Sequence, residues 1–424
     1  MGRAIIRFTL IALILVLPAT ALLRAQDSVS TLAGFVLTPG FSNGFGTNAL
    51  FADPAGLAAD ASGNLYVADN ANHIIRKISA AGSVTTLAGE PGVPGSSNGT
   101  GPAAHFDSPS GLAVDGNGIV YVSDTGNHTI RRISAAGVVT TLAGVAGQSG
   151  ATNEFGNPAL FNTPLGLAVD TAGHVYVSDS GNHLIRKITP GGAITNLAGQ
   201  PGAWGSLDGI GSAARFNRPV GLAVDSQGNV FVADAFNYAI RRITPAGVVT
   251  TIAGFAGNDG YTDGLGGAAR FGKPAELAID ARGNLFVADS FNHTIRRVTP
   301  GGLVSTVAGR AGLDGSSDGV NGRARFFNPY GVALDPQGNL FVTDTYNQTL
   351  RSLFIPFRVA LDKSSGSAVL EWDAVTGRKY RVQFCEQLAA WQDLDPIVTA
   401  TGLTATLTDT TTSSGRFYRV RLVE

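Results

Sequence analysis

Four histidines, His73, His128, His183 and His293, share one register of a 55-residue spacing, which Tyr238 and Gln348 fill in the two remaining places. Histidines brought together can hold zinc, but the metal needs its ligands at about 2 Å. A repeat sets one histidine on each of several separate units, so this spacing predicts a structural role. An Asp recurs in the same way at positions 69, 124, 179, 234, 289 and 344, and an Arg at 76, 131, 186, 241, 296 and 351. Present in every copy, this pair reads as a charge-assisted bond that fixes a turn. More acids punctuate the Gly-rich stretches between copies. Asp208, Asp263 and Asp318 are each followed seven residues later by Arg215, Arg270 and Arg325, whereas Asn43, Asn98 and Asn153 go with Leu50, His105 and Leu160. Because both members change together, we expect an Asp–Arg bridge that holds each of those loops shut. Calcium is the alternative for Asp-Gly-rich loops, although such a site gathers several carboxylates and these loops usually offer one. The last chemical group is Glu276, which stands where the other copies have Gly56, Gly111, Gly166, Gly221 and Gly331. A buried carboxylate costs desolvation unless paired or wet, which makes Glu276 the candidate for a ligand or ion contact.

These residues need elements to position them. In the second copy, residues 111–115, 119–124, 129–134 and 138–143 read as four short antiparallel strands at 8–12-residue spacing, with a tight Asp-Gly-Asn-Gly turn after the first and period-two alternation over 119–124. A four-stranded unit repeated radially is a propeller blade, and six copies predict six blades. The segment 29–34 (VSTLAG) matches 84–89 (VTTLAG), while the sixth copy has no such segment after Phe354. The N-terminal strand is therefore expected to complete the last blade and remove two open sheet edges.

The run GLAVDGNGIVYVSDTGNHTIRRIS at residues 111–134, with its five relatives, resembles the NHL repeat. The resemblance covers residues 28–355 and implies a six-bladed β-propeller, akin in shape to gluconolactonase, strictosidine-synthase-like and peptidyl-amidating-lyase propellers. It implies little about activity, since one fold hosts many functions. The several metal-binding acids of the lactonase relatives and the unique histidines of the lyases are not matched here. His105 and His174 alone lie outside the repeated histidine position, and no nucleophile elbow or phosphate loop is present.

Composition bounds the rest. A formal charge of −1 among 424 residues argues against nucleic acid, whose binding needs a basic face. Cys385 is the only cysteine, so the chain forms no internal disulfide and depends on packing. Arg3 and Arg7 precede an apolar run over residues 8–23, and small residues follow at Ala21 and Ala25. We read residues 1–25 as a signal peptide that leaves a mildly acidic secreted or periplasmic protein with no stable membrane anchor. After the propeller the period stops. Residues 357–424 alternate over 368–372, 380–384, 397–401, 405–408 and 417–422; they resemble a small fibronectin type III-like β-sandwich, with Trp372 and Trp391 in its core and Cys385 as a buried apolar group.

Ligands of propellers tend to occupy the mouth of the central channel. The residues leading into the first strands, Ala55, Ser110, Leu165, Val220, Ala275 and Tyr330, are mostly apolar. Glu276 and Tyr330 are thus the candidates at the mouth, Glu276 being also the weak candidate for a metal. Trp204 and Tyr261, on the loops before the fourth and fifth copies, are candidate aromatic anchors of an interaction surface. The expected function is a non-catalytic, exported binding propeller that presents one face to a protein, peptide or glycan. The alternative is a divalent-metal-dependent, lactonase-like lyase or hydrolase acting at the channel mouth. No cofactor is expected, with calcium as the ion the loops leave open.

Overall fold

The computed structural model describes residues 28–153, 159–320 and 322–354, and beyond them stretches within 359–362, 368–373, 379–385, 392–401, 404–410 and 417–423. The signal-peptide segment and Trp391 lie outside the described residues, as do the side chains of Trp372 and Cys385. Ser28–Phe354 form one compact unit and the strands after Ile355 belong to another.

The larger unit is a ring of six antiparallel sheets. Its innermost strands are Pro54–Ala59, Pro109–Val114, Pro164–Val169, Pro219–Val224, Pro274–Ile279 and Pro329–Leu334, which begin blades 1 to 6. Blade 2 continues through Val120–Asp124, Thr129–Ile133 and Val138–Ala143, each within two residues of its bounds in the sequence pattern. Ser28–Ala33 pairs antiparallel with Thr349–Phe354 and closes blade 6 as expected. One feature escapes the four-strand reading. A two-residue strand from the preceding loop, such as Gly99–Thr100, pairs outside the fourth strand of its blade. Five blades carry this short fifth strand, and the matching stretch of blade 3 falls partly outside the described residues. It covers the sheet edge that would otherwise invite another chain.

Apolar clusters bridge neighbouring blades rather than fill them singly. Tyr66 and Ile75 of blade 1, for instance, pack with Leu112, Val122 and Ile133 of blade 2. The cluster joining blades 6 and 1 includes Ala33 of the closing strand. At the axis the strands approach so closely that a Cβ on Gly111 would lie 2.1 Å from the Leu165 carbonyl oxygen, and one on Gly166 2.1 Å from that of Val220. Glycine is therefore the residue that fits at five of the six equivalent places, and Glu276 is the exception.

The recurring Asp and Arg do pair, as predicted. In blade 2 the Arg131 guanidinium donates to Asp124 (2.6 Å), to the His105 and Ser97 carbonyls (3.0 Å each) and to Asn98 Oδ1 (2.9 Å). It also stacks over Phe106, 5.3 Å from the ring centre. Asp124 accepts the Asp107 N–H as well (2.7 Å). Burial pushes its carboxyl up to about 6 against the pull of these partners. Each such arginine ties the second and third strands of its blade to the loop leading into it.

The loop bridge predicted between Asp208 and Arg215 is not formed. Asp208, Asp263 and Asp318 accept instead from Arg241, Arg296 and Arg351, at 2.7, 2.8 and 2.7 Å. They take the place that Asn43 and Asn98 take in other blades. Arg215 and Arg270 turn back onto carbonyls of their own loops. Nothing in the structure explains why the two loop residues change together.

The smaller unit contains two three-stranded antiparallel sheets. They share a cluster in which Leu370 of one meets Tyr380, Val382 and Val420 of the other.

Candidate functional site

The repeated histidines hold the ring together. Each ends the short turn after its blade's second strand in the left-handed conformation, with φ of 58–59°, and its Nδ1 accepts a backbone N–H from the next blade. The donors are Ser108 to His73, Thr163 to His128, Arg218 to His183 and Asn328 to His293, at 3.0–3.1 Å. Gln348 Oε1 does the same for Asp53 (2.6 Å). Tyr238 supplies no acceptor, and the Lys273 N–H goes to Asp289 Oδ1 (3.2 Å). The backbone registers this change. Asp53, Ser108, Thr163, Arg218 and Asn328 have φ between 46° and 55°, whereas Lys273, at the sixth equivalent place, is not among the positive-φ residues. The link between blades 4 and 5 is thus rewired.

A second break of symmetry lies beside the first. The second residue of that turn is Ala71, Gly126 and Gly181 in blades 1 to 3, but Phe236, Phe291 and Tyr346 in blades 4 to 6. The residue before the first-strand proline is Asp53, Ser108 and Thr163, and then Arg218, Lys273 and Asn328. All six of the later residues line one cavity of about 470 Å³. Leu165, Val220, Ala275 and Tyr330 line it as well, together with polar groups from Asn162, Thr163 and Ser180. Repeat geometry puts these positions at one mouth of the channel, and their side chains gather on half of its rim.

The aromatic residues and the cations form an alternating ladder. Arg218 stacks on Phe236 at 5.7 Å, and the Lys273 ammonium lies 5.2 Å from the Phe236 centre and 4.7 Å from that of Phe291. Such contacts contribute roughly 0.5–2 kcal/mol each. They hold the cations by ring faces and leave their N–H groups free. Neither side chain has a carboxylate or hydrogen-bond partner among the described residues. Burial, and then the neighbouring Arg218 charge, lower the Lys273 ammonium below its ordinary value. His183 is lowered too, by burial and by Arg218, consistent with a neutral ring that accepts the Arg218 N–H.

Of the residues singled out in the sequence, Tyr330 lines the cavity, with its hydroxyl 3.4 Å from Ser110 of blade 2. Glu276 lies off the wall and is 3% exposed, its Oε1 without a partner, and burial pushes it up to about 8. Its charge raises Tyr330 further. Trp204 and Tyr261 are 70% and 64% exposed, on loops away from this cavity. Among the described residues no three His, Cys, Asp or Glu side chains gather as a metal site would need. Arg218, Lys273, Phe236, Phe291 and Tyr346 were open to sequence reading, because they break a six-fold repeat over three consecutive copies.

The NHL repeat profile matches residues 51–78, 106–133, 161–188 and 216–242, and the chain carries NHL repeats. It is 31% identical over 276 residues to the Arabidopsis thaliana protein SUPPRESSOR OF QUENCHING 1, chloroplastic, covering 61% of this chain and 26% of that one. With human NHL repeat-containing protein 2 it shares 29% identity, covering 61% and 40%. The chain thus spans between about a quarter and two fifths of these relatives' lengths. Among solved structures it resembles a Bacteroides thetaiotaomicron protein of unknown function, with TM-score 0.61, 24% identity and 78% and 76% coverage. It also resembles an auxiliary nutrient binding protein from the same organism, with TM-score 0.60, 17% identity and 78% and 77% coverage. At these identities the likeness speaks to the fold.

Proposed function

We propose that this six-bladed NHL-repeat propeller is a binding module that seats a peptide or glycan at the mouth of its channel, over blades 4 to 6. The observation that carries this is the confinement of Phe236, Phe291, Tyr346, Arg218 and Lys273 to half of an otherwise repetitive ring, around one cavity. A purely structural repeat has no reason to place exposed rings and unpaired cations side by side, and aromatic and Arg anchors are what binding surfaces favour. The fold is also that of a protein described as an auxiliary nutrient binding protein, so it is compatible with capture of a small ligand. A divalent-ion lyase reading rests on Glu276, which lies off the cavity wall; binding is the reading the mouth favours.

The apolar run over residues 8–23 behind Arg3 and Arg7 supports export. No helix among the described residues is long and apolar enough to cross a membrane. The fibronectin type III-like sandwich proposed for residues 357–424 is supported by the two three-stranded sheets and their shared cluster.

The test is a combined glycan and peptide array probed with labelled protein. We expect one class to be retained, and Phe291→Ser to weaken that binding by roughly tenfold or more, as loss of an aromatic anchor does. The melting temperature should stay unchanged, because Phe291 is 61% exposed. Full retention of binding by Phe291→Ser would reject the mouth as the site.

A further inference from the structure

The mouth holds two kinds of unspent chemistry. Arg218 and Lys273 are neighbouring cations, steadied by ring faces and lacking a carboxylate. Lys273 is half-buried, and its ammonium is disfavoured by that burial and by Arg218. An oxyanion between them would relieve both costs and use the N–H donors that the rings leave free. Around them stand neutral polar groups with nothing to bond. The Ser180 hydroxyl and the Asn328 side-chain amide line the cavity and make no hydrogen bond within the described chain. Equivalent groups elsewhere are occupied: Thr125, Ser290 and Thr345 each donate to the proline carbonyl of the following blade, at 2.7, 2.6 and 2.8 Å. Ser180 has left that structural duty and borders the cavity instead.

We propose that the ligand is an acidic saccharide, with a carboxylate held between Arg218 and Lys273 and ring hydroxyls served by Ser180, Asn328 and Tyr330. This rests on the mouth being the binding site and names the class of ligand it takes. A sugar acid supplies what the wall calls for: negative charge for Arg218 and Lys273, several hydroxyls to donate and accept, and C–H faces for the exposed sides of Phe291 and Tyr346. The cavity of about 470 Å³ sits at the small end of ligand sites, roughly 300–1,000 Å³, as one or two sugar rings require. A nucleic acid calls for a broader basic track along its phosphates, and the whole chain carries a formal charge of −1.

The test is calorimetric titration of the full chain with digalacturonate, a neutral digalactoside, a dipeptide with a free carboxylate and a short single-stranded oligonucleotide. The expected result is binding of digalacturonate at least tenfold tighter than the digalactoside and weakened by added salt. Arg218→Gln and Lys273→Gln should each lose at least tenfold, Lys273→Arg should recover most of that loss, and all three should melt as the parent does. Equal affinity for the neutral sugar, preference for the dipeptide or oligonucleotide, or no heat with digalacturonate would overturn the acidic-saccharide assignment. In the first two cases, sensitivity of the preferred ligand to Phe291→Ser would still leave the mouth as the binding site. Insensitivity there would remove both.

Discussion

Replacing Arg131 with leucine is expected to destabilise the propeller by about 3–5 kcal/mol, the scale for removing one partner of a buried ion pair. The size follows from how much this side chain satisfies. Its guanidinium is 1% exposed and bonds Asp124, two loop carbonyls and Asn98. Leucine restores apolar contact with Phe106 but leaves Asp124 buried with a charge that must be neutralised, and strands the His105 carbonyl, while the Ser97 carbonyl keeps the His105 N–H at 3.1 Å. The Asp107 and Asn127 donors, at 2.7 and 2.8 Å, compensate Asp124 only in part. Arg132, one residue on, is exposed on the strand's other face, and Arg132→Leu should change stability by less than about 0.5 kcal/mol. Urea unfolding of the two variants measures the contrast. A loss below about 1 kcal/mol for Arg131→Leu would mean that the blade is held by its apolar clusters and owes the arginine little.

The second large effect is a pH dependence that belongs to Glu276. Burial pushes this carboxyl from an ordinary 4.5 up to about 8. Between those values the folded protein keeps a proton that the unfolded chain has released, so stability falls as pH rises through the window. Each pH step of one across that window costs about 1.4 kcal/mol, and the loss reaches on the order of 4 kcal/mol between about pH 5 and pH 8.5. Tyr330, whose charged form Glu276 disfavours, stays neutral throughout. The buried aspartates pushed up to about 6 titrate in the parent and the variant alike. The difference in stability between Glu276→Gln and the parent should therefore grow with pH by about that amount, because glutamine does not titrate. Denaturant curves at pH 5, 7 and 8.5 give the answer. A constant difference would place the carboxylate in contact with water and end the case for a buried acid.

The fold was legible because the 55-residue spacing is unbroken and because VSTLAG at the start repeats the outer strand missing at the end. The fifth strand was not, since two residues such as Gly99 and Thr100 carry no periodicity. The true partner of Asp208 was hidden for a different reason. Arg241 is the same in every copy, so it shows no variation to match the change from Asn to Asp, whereas Arg215 varies and drew the pairing. At the mouth, acids and histidines carry the most obvious chemistry, and they point to Glu276 first. The three rings are visible only when the copies are aligned at the turn after the second strand. The rewired backbone at Lys273 was beyond sequence reading, because it depends on what Tyr238 fails to accept from the next blade.

The most direct measurement of the central claim is hydrogen–deuterium exchange of the protein with and without the strongest glycan or peptide from the array. Binding at the mouth predicts slowed exchange at the turns and loops around residues 217–218, 235–238, 272–273, 290–293 and 345–348, with the outer loops unchanged. Protection confined to the segments around Trp204 and Tyr261, with the mouth unaffected, would contradict it and move the binding surface to the outer loops.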